Sequence, residues 1–125
     1  MARELRAVLE PEFEVIATVA DGDALLEAID RLRPDVIVTD IMMPRLNGIA
    51  ATAEIMRRHP AARIVIVSIF GDRETMRAGL AAGALGYVLK SRAAEELPLA
   101  VRAALRGENH LSDSLRRWVP FKEKC

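Results

Sequence analysis

Val36-Ile37-Val38-Thr39-Asp40-Ile41-Met42-Met43-Pro44, followed by Asn47-Gly48, carries the reading of the fold. Its Val-Ile-Val run has no polar alternation, which marks a strand buried on both faces. Pro44 and Gly48 then turn the backbone. One carboxylate, Asp40, stands at the carboxyl end of the strand, where open parallel sheets bind ligands and do chemistry. A lone aspartate there has no structural duty that Ser or Asn could not perform, so Asp40 is the first candidate for a reactive group.

Working outward towards the amino end, residues 2–10 place Leu5, Val8 and Leu9 on one helical face, and Pro11 ends that helix. Residues 13–19 have the β-branched content of a strand. Asp21-Gly22-Asp23 is turn and cap chemistry. Leu25, Ile29 and Leu32 then recur at helical spacing until Pro34 stops the helix. Towards the carboxyl end the pattern predicts a helix over 48–59, with Ile49, Ala53 and Met56 facing inward. Residues 62–68 read as a second fully buried strand. Asp72 caps a helix carrying Met76 and Leu80, with Gly83 as the left-handed residue at its end. Residues 85–90 are a third short apolar strand. From Ser91 onward Leu97, Val101 and Leu105 form a helical stripe ended by Gly107. Pro98 falls inside that stripe, so the first turn is expected to stand apart and the main helix to begin at the proline.

Strands alternating with helices argue a parallel sheet covered on both faces. The tail over 111–125 has no sustained period and reads as a linker or frayed end, with Trp118 and Phe121 expected to dock. At 125 residues the chain is one domain with a sizeable core. A hydrophobic share of 51%, a charged share of 29% and a formal net charge of +0 describe a soluble globular protein with no general pull towards nucleic acid or anionic membrane. No apolar run approaches the roughly 18 residues that span a bilayer. The single cysteine, Cys125, cannot form an internal disulfide, which fits a reducing cytoplasm.

The three buried strands end in Asp40, Ser68 and Lys90. Neighbouring parallel strands lie about 5 Å apart, so these side chains can converge on one spot. A carboxylate, a hydroxyl and an ammonium are the nucleophile, hydrogen-bond donor and positive charge needed to accept and hold a phosphoryl group. Taken singly, the aspartate reads as a cap, the serine as a turn residue and the lysine as a solvated strand end; the combination and its order point to function. His59 and His110 stand at helix ends and read as caps or solvated groups.

Asp40-Ile41-Met42-Met43-Pro44-Arg45-Leu46-Asn47-Gly48, then Val65-Ile66-Val67-Ser68, then Gly83-Ala84-Leu85-Gly86-Tyr87-Val88-Leu89-Lys90 together resemble the receiver domain of two-component response regulators. The Gly-Tyr-Val-Leu-Lys-Ser form is most similar to regulators with a LuxR-type helix-turn-helix output. The resemblance covers about residues 2–112, so residues 1–112 are taken as the receiver domain, incomplete at its amino end, with 113–125 as a linker or tail. It implies a flavodoxin-like three-layer sandwich whose parallel strands run in the order 2-1-3-4-5. It implies that Asp40 is the phosphoacceptor, fed by a sensor histidine kinase, and that Ser68 and Lys90 contact the phosphoryl oxygens. Ser68 and Tyr87 would be the switch pair, the tyrosine ring turning inward when the serine hydroxyl moves to the phosphate. Pro44 and Gly48 would shape the loop. Mg²⁺ would be held partly by Asp40 and the backbone carbonyl of Met42.

The sequence departs from that family in one respect. A complete receiver opens with an apolar strand ending in two acidic residues that bind Mg²⁺, and this sequence begins inside what matches the first helix. The first, central strand is therefore expected to be missing, leaving four strands. The metal site is expected to be incomplete, since Asp40 and one carbonyl are too few oxygens for firm binding. Asp21, Asp23 and Asp72 stand near strand ends, but at positions the family does not use as ligands. Structurally, an unpaired edge invites another chain. The flanking strands close up, a second copy covers the gap in a homodimer, or the true start lies upstream of Met1.

Three functions follow. The first is a phosphoacceptor signalling domain in the cytoplasm. The second is a pseudo-receiver that serves as an interaction or dimerisation module without phosphorylation. The third is a haloacid-dehalogenase-type phosphatase with Asp40 as nucleophile, disfavoured because that family wants a second Asp where Met42 stands. No glycine-rich nucleotide loop is present. No helix-turn-helix pattern follows residue 112, so nucleic-acid binding is expected of an output part outside this sequence.

Overall fold

A computed structural model describes residues 2–43 and 46–118. Pro44, Phe121 and the side chain of Trp118 lie outside the described residues. Along the chain come α1 (Ala2–Leu9), α2 (Gly22–Leu32), β1 (Ile37–Asp40), α3 (Gly48–Arg58), β2 (Ile64–Ser68), α4 (Arg73–Ala81), β3 (Gly86–Leu89), α5 (Ala93–Leu105) and β4 (His110–Leu111), with 3-10 turns at Lys90–Arg92 and Asp113–Trp118. The strands form one parallel sheet in the order β1-β2-β3-β4.

Every residue of β2 is buried, and its alternation divides the core. Val65 and Val67 pack with Leu9, Val88, Leu97 and Val101, the face covered by α1 and α5. On the opposite face Ile66 joins Met76 and Tyr87, while Ile64 joins Ile55, Leu25 and Ile29, so α2, α3 and α4 cover it. This is the flavodoxin-like α/β sandwich. Three helices begin on capping side chains that accept backbone N–H groups otherwise left unpaired. Asp21 accepts from Ala24 at 2.8 Å, Asn47 from Ala50 at 2.8 Å and Asp72 from Thr75 at 2.9 Å. Gly83 is left-handed at φ 120° after α4, and Arg33 at φ 50° closes α2 before Pro34.

The sheet has four strands, but not the four expected. Residues 13–19 join no sheet; their β-branched side chains favour a strand, yet a strand exists only with a ladder partner, and none of the described residues provides one. The fourth strand is β4, which pairs Gly86 with His110 and Tyr87 with Leu111. The tail therefore does not fray at 111: Leu111 and Leu115 are 3% and 1% exposed, inside the cluster of Ile66, Met76 and Tyr87.

Two helices differ from the periodicity reading. In α3 the buried residues include Ala51, Thr52 and Ile55, Ile49 and Met56 are only partly buried, and Ala53 is exposed. A threonine faces inward because its hydroxyl donates to the Gly48 carbonyl at 2.7 Å and so carries no unmet polar atom into the core. In α5 the helix runs unbroken from Ala93 through Pro98. The proline removes one backbone donor, and burial of Leu97, Ala100 and Val101 around it holds the helix together.

Candidate phosphoacceptor site

The register sets the geometry. Asp40 lies opposite Val67, and Ser68 opposite Leu89, so the strand ends step forward from β1 to β3 and Lys90 follows at the first residue of a 3-10 turn. Alternation places Asp40 on the same face as Val38, towards α1 and α5. Ser68, in phase with Ile66, belongs to the opposite face with Tyr87. Among the described residues no hydrogen bond or ion pair joins Asp40, Ser68 and Lys90; they share one end of the sheet and each has local surroundings.

Asp40 accepts the backbone N–H of Met42 at 3.2 Å through Oδ1, a turn that leaves Met42 64% exposed beside it. Gly48 fixes how closely α3 approaches. A Cβ there would stand 2.0 Å from the Asp40 carbonyl oxygen, and the Gly48 N–H donates to the Ile41 carbonyl at 2.9 Å. No side chain other than hydrogen leaves this contact intact.

Ser68 is fully buried, and its Oγ accepts from the Phe70 N–H at 2.9 Å. Tyr87 is fully buried too, and its hydroxyl donates to the Phe70 carbonyl at 2.8 Å. Burial raises the phenol above its ordinary pKa, with the charge of Asp72 adding and a bond to Ser68 opposing. Gly79 lies against this ring: a Cβ there would meet Tyr87 Cδ2 at 3.4 Å. Lys90 is exposed, within charge range of Glu4 in α1.

The residues present do not fit Mg²⁺. The ion asks for near-octahedral oxygen ligation, and the described residues contain no group of three His, Cys, Asp or Glu side chains able to hold a metal. Asp21 and Asp72 are engaged as helix caps.

A second polar cluster escaped the sequence reading. Glu96 is 6% exposed on the inner side of α5. It accepts from Ser112 Oγ at 2.7 Å and from Arg92 Nε at 3.2 Å, and lies 3.4 Å from His110 Nε2. Burial opposes its ionisation, but these bonds outweigh burial and hold the carboxyl below its ordinary range. Ser112 Oγ also accepts the Leu89 N–H at 3.0 Å. The signal was a glutamate between Ala93, Leu97 and Ala100 in the apolar stripe, one turn after Arg92.

Known proteins agree on what the arrangement is. The sequence profile of the response regulator receiver domain matches residues 1–102. The chain is 39% identical over 99 residues to the transcriptional regulatory protein DegU of Brevibacillus brevis, covering 79% of this chain and 42% of that protein. It is 37% identical over 107 residues to the oxygen regulatory protein NreC of Staphylococcus epidermidis, covering 85% of this chain and 49% of the relative. The chain thus spans about half the length of the curated relatives it matches. A LuxR-family two-component response regulator from Aurantimonas superposes with a TM-score of 0.89 at 29% identity, covering 98% of this chain and 89% of that one. The isolated receiver domain of RcsB from Salmonella enterica, solved with the phosphomimetic BeF3⁻, gives 0.84 at 27% identity, covering 95% and 90%. With its parallel sheet and with Asp40, Ser68 and Lys90 at successive strand ends, the chain belongs to the response regulator receiver domain family.

Proposed function

We propose that this chain is a phosphoacceptor signalling domain whose Asp40 receives a phosphoryl group from a histidine kinase. The observation that carries the reading is the placement of Asp40, Ser68 and Lys90 at one end of three adjacent strands. In the transfer an Asp40 carboxylate oxygen forms a bond to phosphorus as the bond from phosphorus to the donor's imidazole nitrogen breaks, and the imidazole leaves with that electron pair. Lys90 then balances charge on the phosphoryl oxygens, and the Ser68 hydroxyl donates to one of them after giving up the Phe70 N–H. Because Phe70 also holds the Tyr87 hydroxyl, movement of Ser68 reaches the face between α4 and α5. Residues 1–112 form the unit that responds, in the cytoplasm and without enzymatic turnover of its own.

Among the described residues no group of metal-ligating side chains gathers at Asp40, which favours one other reading, a pseudo-receiver that binds partners without phosphorylation. Intact-mass measurement after incubation with acetyl phosphate and Mg²⁺ separates the two. A phosphate adduct in the native chain that is absent in Asp40→Asn supports phosphoacceptance. No adduct at millimolar donor sinks it and leaves the pseudo-receiver.

A further inference from the structure

The 3-10 turn that carries Lys90, residues Lys90–Arg92, is held at both of its ends by one carboxylate. At its start the ladder between β3 and β4 has run out, since the last paired residues are Tyr87 and Leu111. The next outward donor of β3, the Leu89 N–H, is met instead by Ser112 Oγ at 3.0 Å, and that hydroxyl donates to Glu96 Oε1 at 2.7 Å. Ser112 is itself placed by its own N–H, which donates to the Tyr87 carbonyl at 3.1 Å. At the far end of the turn Arg92 donates through Nε to the other oxygen, Glu96 Oε2, at 3.2 Å. Lys90 thus lies between two residues that reach the same side chain. Its carbonyl also accepts the Ala93 N–H, which ties the turn to the start of α5, the helix that carries Glu96.

A glutamate in the first turn of a helix meets the helix dipole just as well on the exposed side, with no desolvation. Glu96 is 6% exposed and Ser112 1%, so burial here has to be offset by charge-assisted bonds. A leucine of similar volume would fill the same place without that penalty. What leucine could not do is hold the two flanks of Lys90. We infer that Glu96, acting with Ser112, is a positioning residue for Lys90: it fixes the backbone from Leu89 to Arg92 and so sets where the ammonium stands relative to Asp40. The inference rests on the phosphoacceptor reading for the task it gives Lys90, and goes beyond it by bringing Glu96 and Ser112 into the site. A cation stabilises the charge that develops on a phosphoryl group only if it is already in place, so a loosened turn slows transfer although Asp40 is untouched.

The test uses the full chain and two readouts. In amide hydrogen exchange the Leu89 and Ala93 N–H groups report the two flanks of the turn, and the Ile66 N–H, in the buried strand β2, reports global opening. Glu96→Leu is expected to speed Leu89 and Ala93 about tenfold relative to Ile66, and Ser112→Ala serves for the Leu89 flank where Glu96→Leu does not fold. The second readout is the initial rate at which acetyl phosphate with Mg²⁺ forms the phosphate adduct, followed by intact mass. Glu96→Leu is expected to slow it about tenfold, and Glu96→Gln, which keeps one acceptor oxygen, to fall between Leu and the native chain. Added to Lys90→Ala, Glu96→Leu is expected to slow it no further, because both act through the same ammonium. Unchanged exchange ratios overturn the inference. So does a native rate in Glu96→Leu, a rate for Leu equal to or above that for Gln, or a full additional slowing in the Lys90→Ala background, each of which makes Glu96 a packing residue. No adduct in the native chain sinks the phosphoacceptor reading instead, and the exchange ratios alone then decide whether Glu96 fixes the turn.

Discussion

The two long edges of the sheet are finished in opposite ways. Along β3 every outward group is met. The Leu85 carbonyl accepts from His110 N–H at 3.2 Å and from Asn109 Nδ2 at 3.0 Å, the Tyr87 carbonyl accepts from Ser112 N–H at 3.1 Å, and the Leu89 N–H reaches Ser112 Oγ. Leu111 and Leu115 seal the apolar side. Along β1 the outward groups face a trough of about 360 Å³ lined by Phe13, Val15, Ile29, Val36 and Val38. Two residues of β4 and one serine close an edge that seven strand-like residues, 13–19, leave open on the other side. Composition makes a strand possible, but a partner within ladder distance makes it real.

Several changes test this contrast. Leu115→Ala removes the side chain that seals the closed edge and leaves a cavity under Tyr87, so denaturant unfolding is expected to show a loss of about 3 kcal/mol. Ser112→Ala removes the acceptor of the Leu89 N–H and a donor to Glu96 together, for an expected loss of about 1–2 kcal/mol. Acid acts on the same edge more mildly. The Glu96 carboxyl titrates below its ordinary value in the folded chain, so its stabilisation is complete above about pH 4.3 and fades as pH falls through the lower folded value. Stability measured as the pH is lowered from about 5 is expected to fall more steeply in the native chain than in Glu96→Gln. On the open edge Ile16→Thr is expected to change stability by less than about 0.5 kcal/mol, since half of that side chain is already in water. A large loss there would mean that Ile16 is packed as its neighbours Val15 and Val19 are.

The buried strands and the caps were legible in the sequence because each rests on a local rule. Residues 64–67 form the interior strand that their apolar run requires, whereas Val36-Ile37-Val38, read in the same way, lies on an edge of the sheet with Val36 and Val38 only half-buried; Asp21 and Asp72 stand immediately before an apolar helical repeat and cap it. Asp40, Ser68 and Lys90 could be placed at strand ends by counting from those runs. What was not legible depends on the third dimension. His110-Leu111 is too short to announce a strand, and it becomes one only because β3 offers an unpaired edge. Glu96 was not singled out in the sequence, because the partners that satisfy it, Ser112 and His110, lie 16 and 14 residues further along the chain. Thr52 shifted the inward face of α3 by bonding to its own helix. Residues 13–19 failed in the other direction, with the right residues and no neighbour.

Hydrogen exchange at single-amide resolution on the native chain tests the central contrast most directly. The account predicts that the Val38 N–H, which faces the trough, exchanges through local opening, about tenfold or more faster than the Leu89 N–H, which the closed edge protects to near the global unfolding limit. Equal protection of the two amides would contradict it, because the edge of β1 beside Asp40 would then already be closed.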